Sequence, residues 1–132
     1  MRKRLIKKSR RVVIKIGSSV LVAGQREGGL HLAPKVFGQI AGGVSLLRKG
    51  NKTVLLVSSG AIAMGIKKLG LKERPATIPQ RQALAAVGQV ELMARYGAAL
   101  RGHGLDVAQV LLTHDDFADR RRFLNARNTL TT

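Results

Sequence analysis

The sequence has no cysteine and no tryptophan, only three prolines, and seven acidic residues against 24 basic ones. Without cysteine there is neither a disulfide framework nor a thiolate zinc site. The histidines, His31, His103 and His114, are scattered and show no ligand spacing, which argues against a metal site built from imidazoles. Aromatic residues make up 3% of the chain. The core must therefore come from Val, Leu, Ile and Ala, and stacking platforms for single-stranded nucleic acid are not expected. No stretch approaches the ~18 apolar residues of a membrane-spanning helix. Leu5-Ile6 is far too short for the apolar region of a secretory leader. A cytoplasmic protein, with no membrane partner, is the expectation.

What is present suits one globular domain. The chain has 132 residues, 45% of them apolar, enough for a single core. The net charge of +17 is unusual. Seven of the basic residues (Arg2, Lys3, Arg4, Lys7, Lys8, Arg10 and Arg11) fall in the first eleven positions, and no acidic residue precedes Glu27. Such a block can hold nucleic acid or an anionic membrane surface. The preferred reading is a solvated basic arm over residues 1–10 that keeps the domain soluble.

Arg11 to Ile16 is the first strand-like run. Val12, Val13, Ile14 and Ile16 are β-branched and suit a buried strand. Lys15 interrupts them, and Gly17, Ser18 and Ser19 follow at once. Two readings stand for this stretch: a lysine that snorkels to water at a strand end, or a phosphate cradle of lysine, backbone N–H groups and hydroxyls. Val20 to Val22 is a short apolar run, and Ala23 to Gly29 reads as a polar turn with a glycine at each end. Pro34 can open a helix with Val36, Phe37, Ile40, Val44 and Leu47 along one side. Gly38, Gly42 and Gly43 weaken it, and Arg48-Lys49-Gly50 is its expected stop. Thr53 to Val57 is a second strand, ending in Ser58-Ser59-Gly60.

Two strands joined by a helix of this length predict a βαβ unit with a parallel sheet. Both strands then end at one edge, where open α/β sheets bind their ligands. Two small, hydroxyl-bearing glycine loops at that edge favour a site over two ordinary turns. Gly60 to Leu69 reads as a helix whose N-terminus faces this edge, with Gly70 as its cap. Gln80 to Gly102 reads as a long helix with Ala83, Val87, Val90, Ala94 and Ala98 along one side. That small-residue stripe is expected to pack on another helix, and Gly88 marks a close approach. Val107 to Leu112 is an expected third strand. Beyond it, Asp115, Asp116 and Asp119 admit two readings, a magnesium site or caps for the helix that follows with charge pairing to Arg120-Arg121-Arg122, and the caps are preferred. His114 has no partner that would give it a catalytic role. Arg120 to Leu130 reads as a final helix with no glycine or proline stop, so the chain is expected to be part of a longer protein.

Four segments together resemble the glutamate 5-kinase family of the amino acid kinase superfamily. They are VVIKIGSSVL (Val12 to Leu21), VLLVSSGAIAMG (Val54 to Gly65), RQALAAVGQVELM (Arg81 to Met93) and QVLLTHDDFADRRRFLNARNTL (Gln109 to Leu130). The first two are shared across the superfamily, and AAVGQ and FLNARNTL are more specific. The resemblance implies an α/β fold, a largely parallel sheet sandwiched by helices in three αβα layers, with residues 11–132 as the amino-terminal, glutamate-side portion before the nucleotide-binding half. It implies ATP-dependent phosphorylation of the L-glutamate side-chain carboxylate, the first step of proline biosynthesis, with ATP and Mg2+ as cofactors. Lys15 matches the family's lysine for the phosphates, with Gly17, Ser18 and Ser19 around them. Ser59, Gly60 and Ala61 match the loop that holds glutamate. A homo-oligomer is implied for the full-length form, and little or no turnover for residues 1–132 alone. The alternative is a non-catalytic lobe serving as a basic binding module for an anionic partner such as RNA.

Overall fold

The computed structural model describes residues 8–26, 29–32 and 34–132. Arg2, Lys3, Arg4 and Lys7 of the expected arm lie outside the described residues. In chain order the elements are β1 (Arg11–Ile16), α1 (Ser18–Leu21), β2 (Val22–Arg26), β3 (Gly29–Leu32) and α2 (Pro34–Lys49). They continue with β4 (Thr53–Ser58), α3 (Ala61–Lys68), α4 (Ile78–Arg101), α5 (Asp115–Ala118) and α6 (Arg120–Thr131).

β1 and β4 pair in parallel without a slip, from Arg11 opposite Thr53 to Ile16 opposite Ser58. Side chains alternate across a strand. Here Val12, Ile14 and Ile16 turn inward, and Arg11, Val13 and Lys15 are exposed. The inward face carries two clusters, Ile16, Leu21, Phe37, Met64, Leu92 and Tyr96 in one, Ala41, Val44 and Leu100 in the other. Ile14 and Leu56 touch both. Helices α2 and α4 cover this face, and the rings of Phe37 and Tyr96 meet edge to face at 5.0 Å. The other sheet face is open: Val13 is 62% and Val57 51% exposed. The described residues thus form an α/β unit with a parallel sheet and one covering layer of helices.

Helix α2 runs its 16 residues through all three glycines. Burial of Phe37, Ala41 and Val44 outweighs a propensity cost of about 1 kcal/mol per glycine. Its stop is Asn51 rather than Gly50. Asn51 has a positive φ of 55°, its N–H bonds to the Arg48 carbonyl, and the Lys52 N–H reaches back to Leu47, the paired bonds of a Schellman cap. Gly70, with φ 64°, ends α3 in the same way, as expected. Another expectation fails locally. Ala23 to Arg26 and Gly29, expected as a turn, belong to the antiparallel pair β2–β3, in which Gln25 pairs with Leu30 and Arg26 with Gly29 while Ala23 and Gly24 fall in an irregularity of the register; Glu27 and Gly28 lie outside the described residues.

The expected packing face of α4 is corrected. Ala83, Val87, Val90, Ala94 and Ala98 are all exposed. The buried row is Leu84, Gly88, Leu92, Tyr96 and Leu100, one residue every four, the ridge along which helices commonly interdigitate. The large side chains supply the buried area, and size decides which face turns inward. Gly88 does mark a close approach, as expected. A Cβ there would strike the Ala61 carbonyl oxygen and the Gly65 nitrogen, and one on Gly65 would strike the Leu84 carbonyl. Helices α3 and α4 therefore cross backbone to backbone.

Val107 to Leu112 is not a strand. A ladder needs its neighbour about 4.8 Å away. Instead a cavity of about 600 Å³ lies between β4 and this segment, lined by Val54, Leu56, Tyr96 and Leu100 on one side and Leu105, Val107 and Gln109 on the other. Of the three aspartates Asp119 caps the following helix, as preferred from the sequence, while Asp116 ties back to Thr113 and Asp115 only pairs with Arg122. Asp116 accepts from the N–H and hydroxyl of Thr113 at 2.6 and 2.8 Å, and Asp119 accepts from the Arg122 N–H at 2.8 Å. Arg122 also pairs with Asp116 at 3.5 Å and Asp115 at 3.8 Å. No helix among the described residues is long and apolar enough to cross a membrane.

Candidate functional site

Because Ile16 sits opposite Ser58 in a parallel pair, Gly17 and Ser59 leave the sheet side by side at its carboxyl edge. The Ser59 N–H donates to the Ile16 carbonyl at 3.3 Å, which joins the second loop to the end of the first strand. Packing joins the loops as well. Gly60 is buried, and a Cβ at this position would overlap Leu21 Cδ1 and lie 3.6 Å from Leu92 Cδ1. Leu21, fully buried, ends the short helix that follows Gly17. The two loops expected to share an edge are thus in direct contact.

Around that contact the polar groups stay accessible. Lys15, Ser18, Ser19 and Ser59 are exposed, and Gly17 and Ala61 are half-buried. Lys15 lies on the open face of the sheet, paired in register with Val57. Among the described residues it forms no ion pair. Helix α3 begins at Ala61 with no side-chain cap from Gly60 and no acidic residue in its first turn. Its first N–H groups are the free donors of a helix N-terminus. Neither loop contains a carboxylate. One ammonium, three serine hydroxyls and uncapped N–H groups at one edge suit a ligand bearing negative oxygens.

The structure brings all seven candidates, Lys15, Gly17, Ser18, Ser19, Ser59, Gly60 and Ala61, to this edge. It adds two residues that reading the sequence missed. Ser58 accepts a hydrogen bond from the Tyr96 hydroxyl at 3.3 Å, and Leu92, one turn earlier on α4, backs Gly60. The available signal was the four-residue spacing of Leu84, Gly88, Leu92, Tyr96 and Leu100, with the chain's single tyrosine among them. Burial raises the Tyr96 hydroxyl pKa above its ordinary 10.0, with the bond to Ser58 opposing, so the group is a protonated donor at neutral pH. A separate, mostly apolar cavity of about 660 Å³, lined by Leu69, Leu71, Pro75, Ala83, Leu84 and Val87 among others, contains none of the candidate residues.

Residues 10–132 match the model of the amino acid kinase family. The chain is similar to proteins named glutamate 5-kinase. It is 52% identical over 130 residues to that of Pelobacter propionicus, covering 98% of this chain and 34% of the relative. It is 51% identical over 132 residues to that of Geobacter sulfurreducens, covering all of this chain and 34% of the relative. With the Nitrosospira multiformis protein it shares 49% over 128 residues, 97% of this chain and 33% of the relative. The chain spans about a third of the length of these relatives. The alternative of a basic module for RNA finds no support in family or relatives. With a parallel strand pair whose two glycine loops meet at one edge, and a family match over nearly its whole length, the chain belongs to the amino acid kinase family.

Proposed function

We propose that this chain is the glutamate-side portion, residues 11–132, of an ATP-dependent glutamate 5-kinase, preceded by a basic arm over residues 1–10. The observation that carries the proposal is the junction of the two loops, with Ser59 bonded to Ile16 and Gly60 seated on Leu21. In the reaction a side-chain carboxylate oxygen of L-glutamate attacks the γ-phosphorus of ATP. The bond from that phosphorus to its bridging oxygen breaks, and glutamyl 5-phosphate and ADP result. No protein nucleophile is required, so catalysis rests on positioning and on neutralising oxygen charge. Lys15 supplies a positive charge for the phosphates. Gly17, Ser18 and Ser19 supply backbone and hydroxyl donors beside it. Ser59, Gly60 and Ala61, at the start of α3, hold the glutamate.

The reading carries with it ATP and L-glutamate as partners, a cytoplasmic location, a place in proline biosynthesis and a homo-oligomer in the full-length form. Mg2+ normally accompanies ATP in such reactions. Among the described residues no group of three or more His, Cys, Asp or Glu side chains is placed to hold a metal.

The test is Lys15→Ala in the full-length protein that carries this chain, assayed for glutamate-dependent ADP release. Removing one charge-stabilising donor is expected to lower kcat about 100- to 1,000-fold. An unchanged kcat would remove Lys15 from its role.

A further inference from the structure

The Ser58-Ser59-Gly60 loop is fixed at three successive residues, and α4 contributes to two of them. Gly60 packs on Leu21 with Leu92 of α4 behind it, Ser59 is bonded to Ile16, and Ser58 is bonded through its side chain to Tyr96. We propose that Tyr96 is a positioning residue for the glutamate loop, its hydroxyl setting Ser58 and through it the placement of Ser59. The inference rests on the kinase reading above and deepens it.

Three features of Tyr96 separate this role from core filling. Its ring is already held without the hydroxyl: the side chain is 5% exposed and packs edge to face on Phe37. Phenylalanine would satisfy that packing. The hydroxyl instead spans from α4 to the last residue of β4, 38 positions earlier in the chain. And Ser58 lies on the helix-covered side of the sheet, opposite Lys15, which emerges beside Val57 on the open face. Tyr96 therefore supports the loop from beneath and acts on the glutamate side separately from the phosphate lysine.

Tyr96→Phe, Ser58→Ala and the double variant are compared with the parent in the full-length protein that carries this chain, at a temperature well below every melting point. Loss of one neutral hydrogen bond corresponds to a change of about three- to tenfold. The expected result for Tyr96→Phe is a rise of that size in KM for L-glutamate, with KM for ATP changed less than twofold. Because Tyr96 acts through Ser58, the double variant should be no worse than Ser58→Ala alone. Unchanged KM for glutamate, equal rises in both KM values, or additive effects in the double variant would each overturn the proposal. If Tyr96→Phe fails to fold, Ser58→Ala decides by the same split. A parent protein with no glutamate-dependent turnover would overturn the kinase reading itself, whereas an active parent insensitive to Tyr96→Phe overturns the positioning role only.

Discussion

Single atoms decide how α3 meets α4. Helix propensity alone favours Gly→Ala in a helix interior by about 1 kcal/mol. At Gly88 the added carbon would overlap backbone atoms of Ala61 and Gly65, which cannot rotate away as a side chain can. Crowding of this kind costs about 1–3 kcal/mol or more, so the steric term exceeds the propensity term. Gly43 in α2 has nothing within 4 Å of its would-be Cβ, and there propensity acts unopposed. Gly88→Ala is therefore expected to lower the unfolding free energy by about 2 kcal/mol, and Gly43→Ala to raise it by up to about 1 kcal/mol. Urea unfolding of both variants checks the pair, and the same sign for both would contradict the argument. Gly88 was legible as a close approach from the sequence, because an interior glycine in a long helix needs a reason. Its partner Gly65 was not, since nothing in a linear pattern says which two helices cross.

At the scale of elements, the α3–α4 pair is also held by charge. Glu91 on α4 accepts from Arg95 at 2.8 Å and pairs with Lys68 of α3 at 3.5 Å. The Arg95 hydrogen bond, with the positive charges of Arg95 and Lys68, holds the Glu91 pKa below its ordinary 4.5 against the opposing effect of burial. A carboxylate with a depressed folded-state pKa binds fewer protons folded than unfolded in this range. Its contribution is present above the unfolded pKa and is lost as pH falls through the folded one. Glu91→Gln is expected to be less stable than the parent near neutral pH, with the gap closing below about pH 4.5. Thermal melts of both proteins from pH 7 to pH 3 measure this, and a gap independent of pH would assign the effect to packing. The four longer helices and the two strands of the parallel sheet were legible from periodicity, capping signals and β-branched runs, whereas the short helices α1 and α5 and the β2–β3 pair were not. The inward face of α4 was not. Its small-residue row and its large-residue row are both regular, and only the volume available beneath the helix selects Leu84, Leu92, Tyr96 and Leu100.

The molecule as a whole leaves much apolar surface uncovered. Val13 and Val57 on the open sheet face are 62% and 51% exposed, and Val90, Leu111 and Phe117 elsewhere are 74%, 72% and 62% exposed. Exposed apolar surface of this kind favours association, while a net charge of +17 opposes it. Salt screens the repulsion with a Debye length of about 30 Å at 0.01 M and 3 Å at 1 M. The isolated 132-residue chain is therefore expected to self-associate, and more strongly as salt rises. Light scattering over a tenfold concentration range at low and high salt checks this, and a salt-independent monomer would contradict it.

The sequence by itself determined the parallel strand pair, the two glycine loops that leave it, the helices between, and the residues gathered at the edge. Strand alternation, turn chemistry and helix caps are local properties that short stretches carry whatever surrounds them. Tertiary structure alone decided that Val107 to Leu112 lies across a cavity from β4 instead of pairing with it, that α4 turns its large side chains inward, and that Tyr96 reaches Ser58. Each of these depends on distances between segments far apart in the chain. Backbone pairing, burial and a buried hydroxyl's partner are settled only when those segments share one volume.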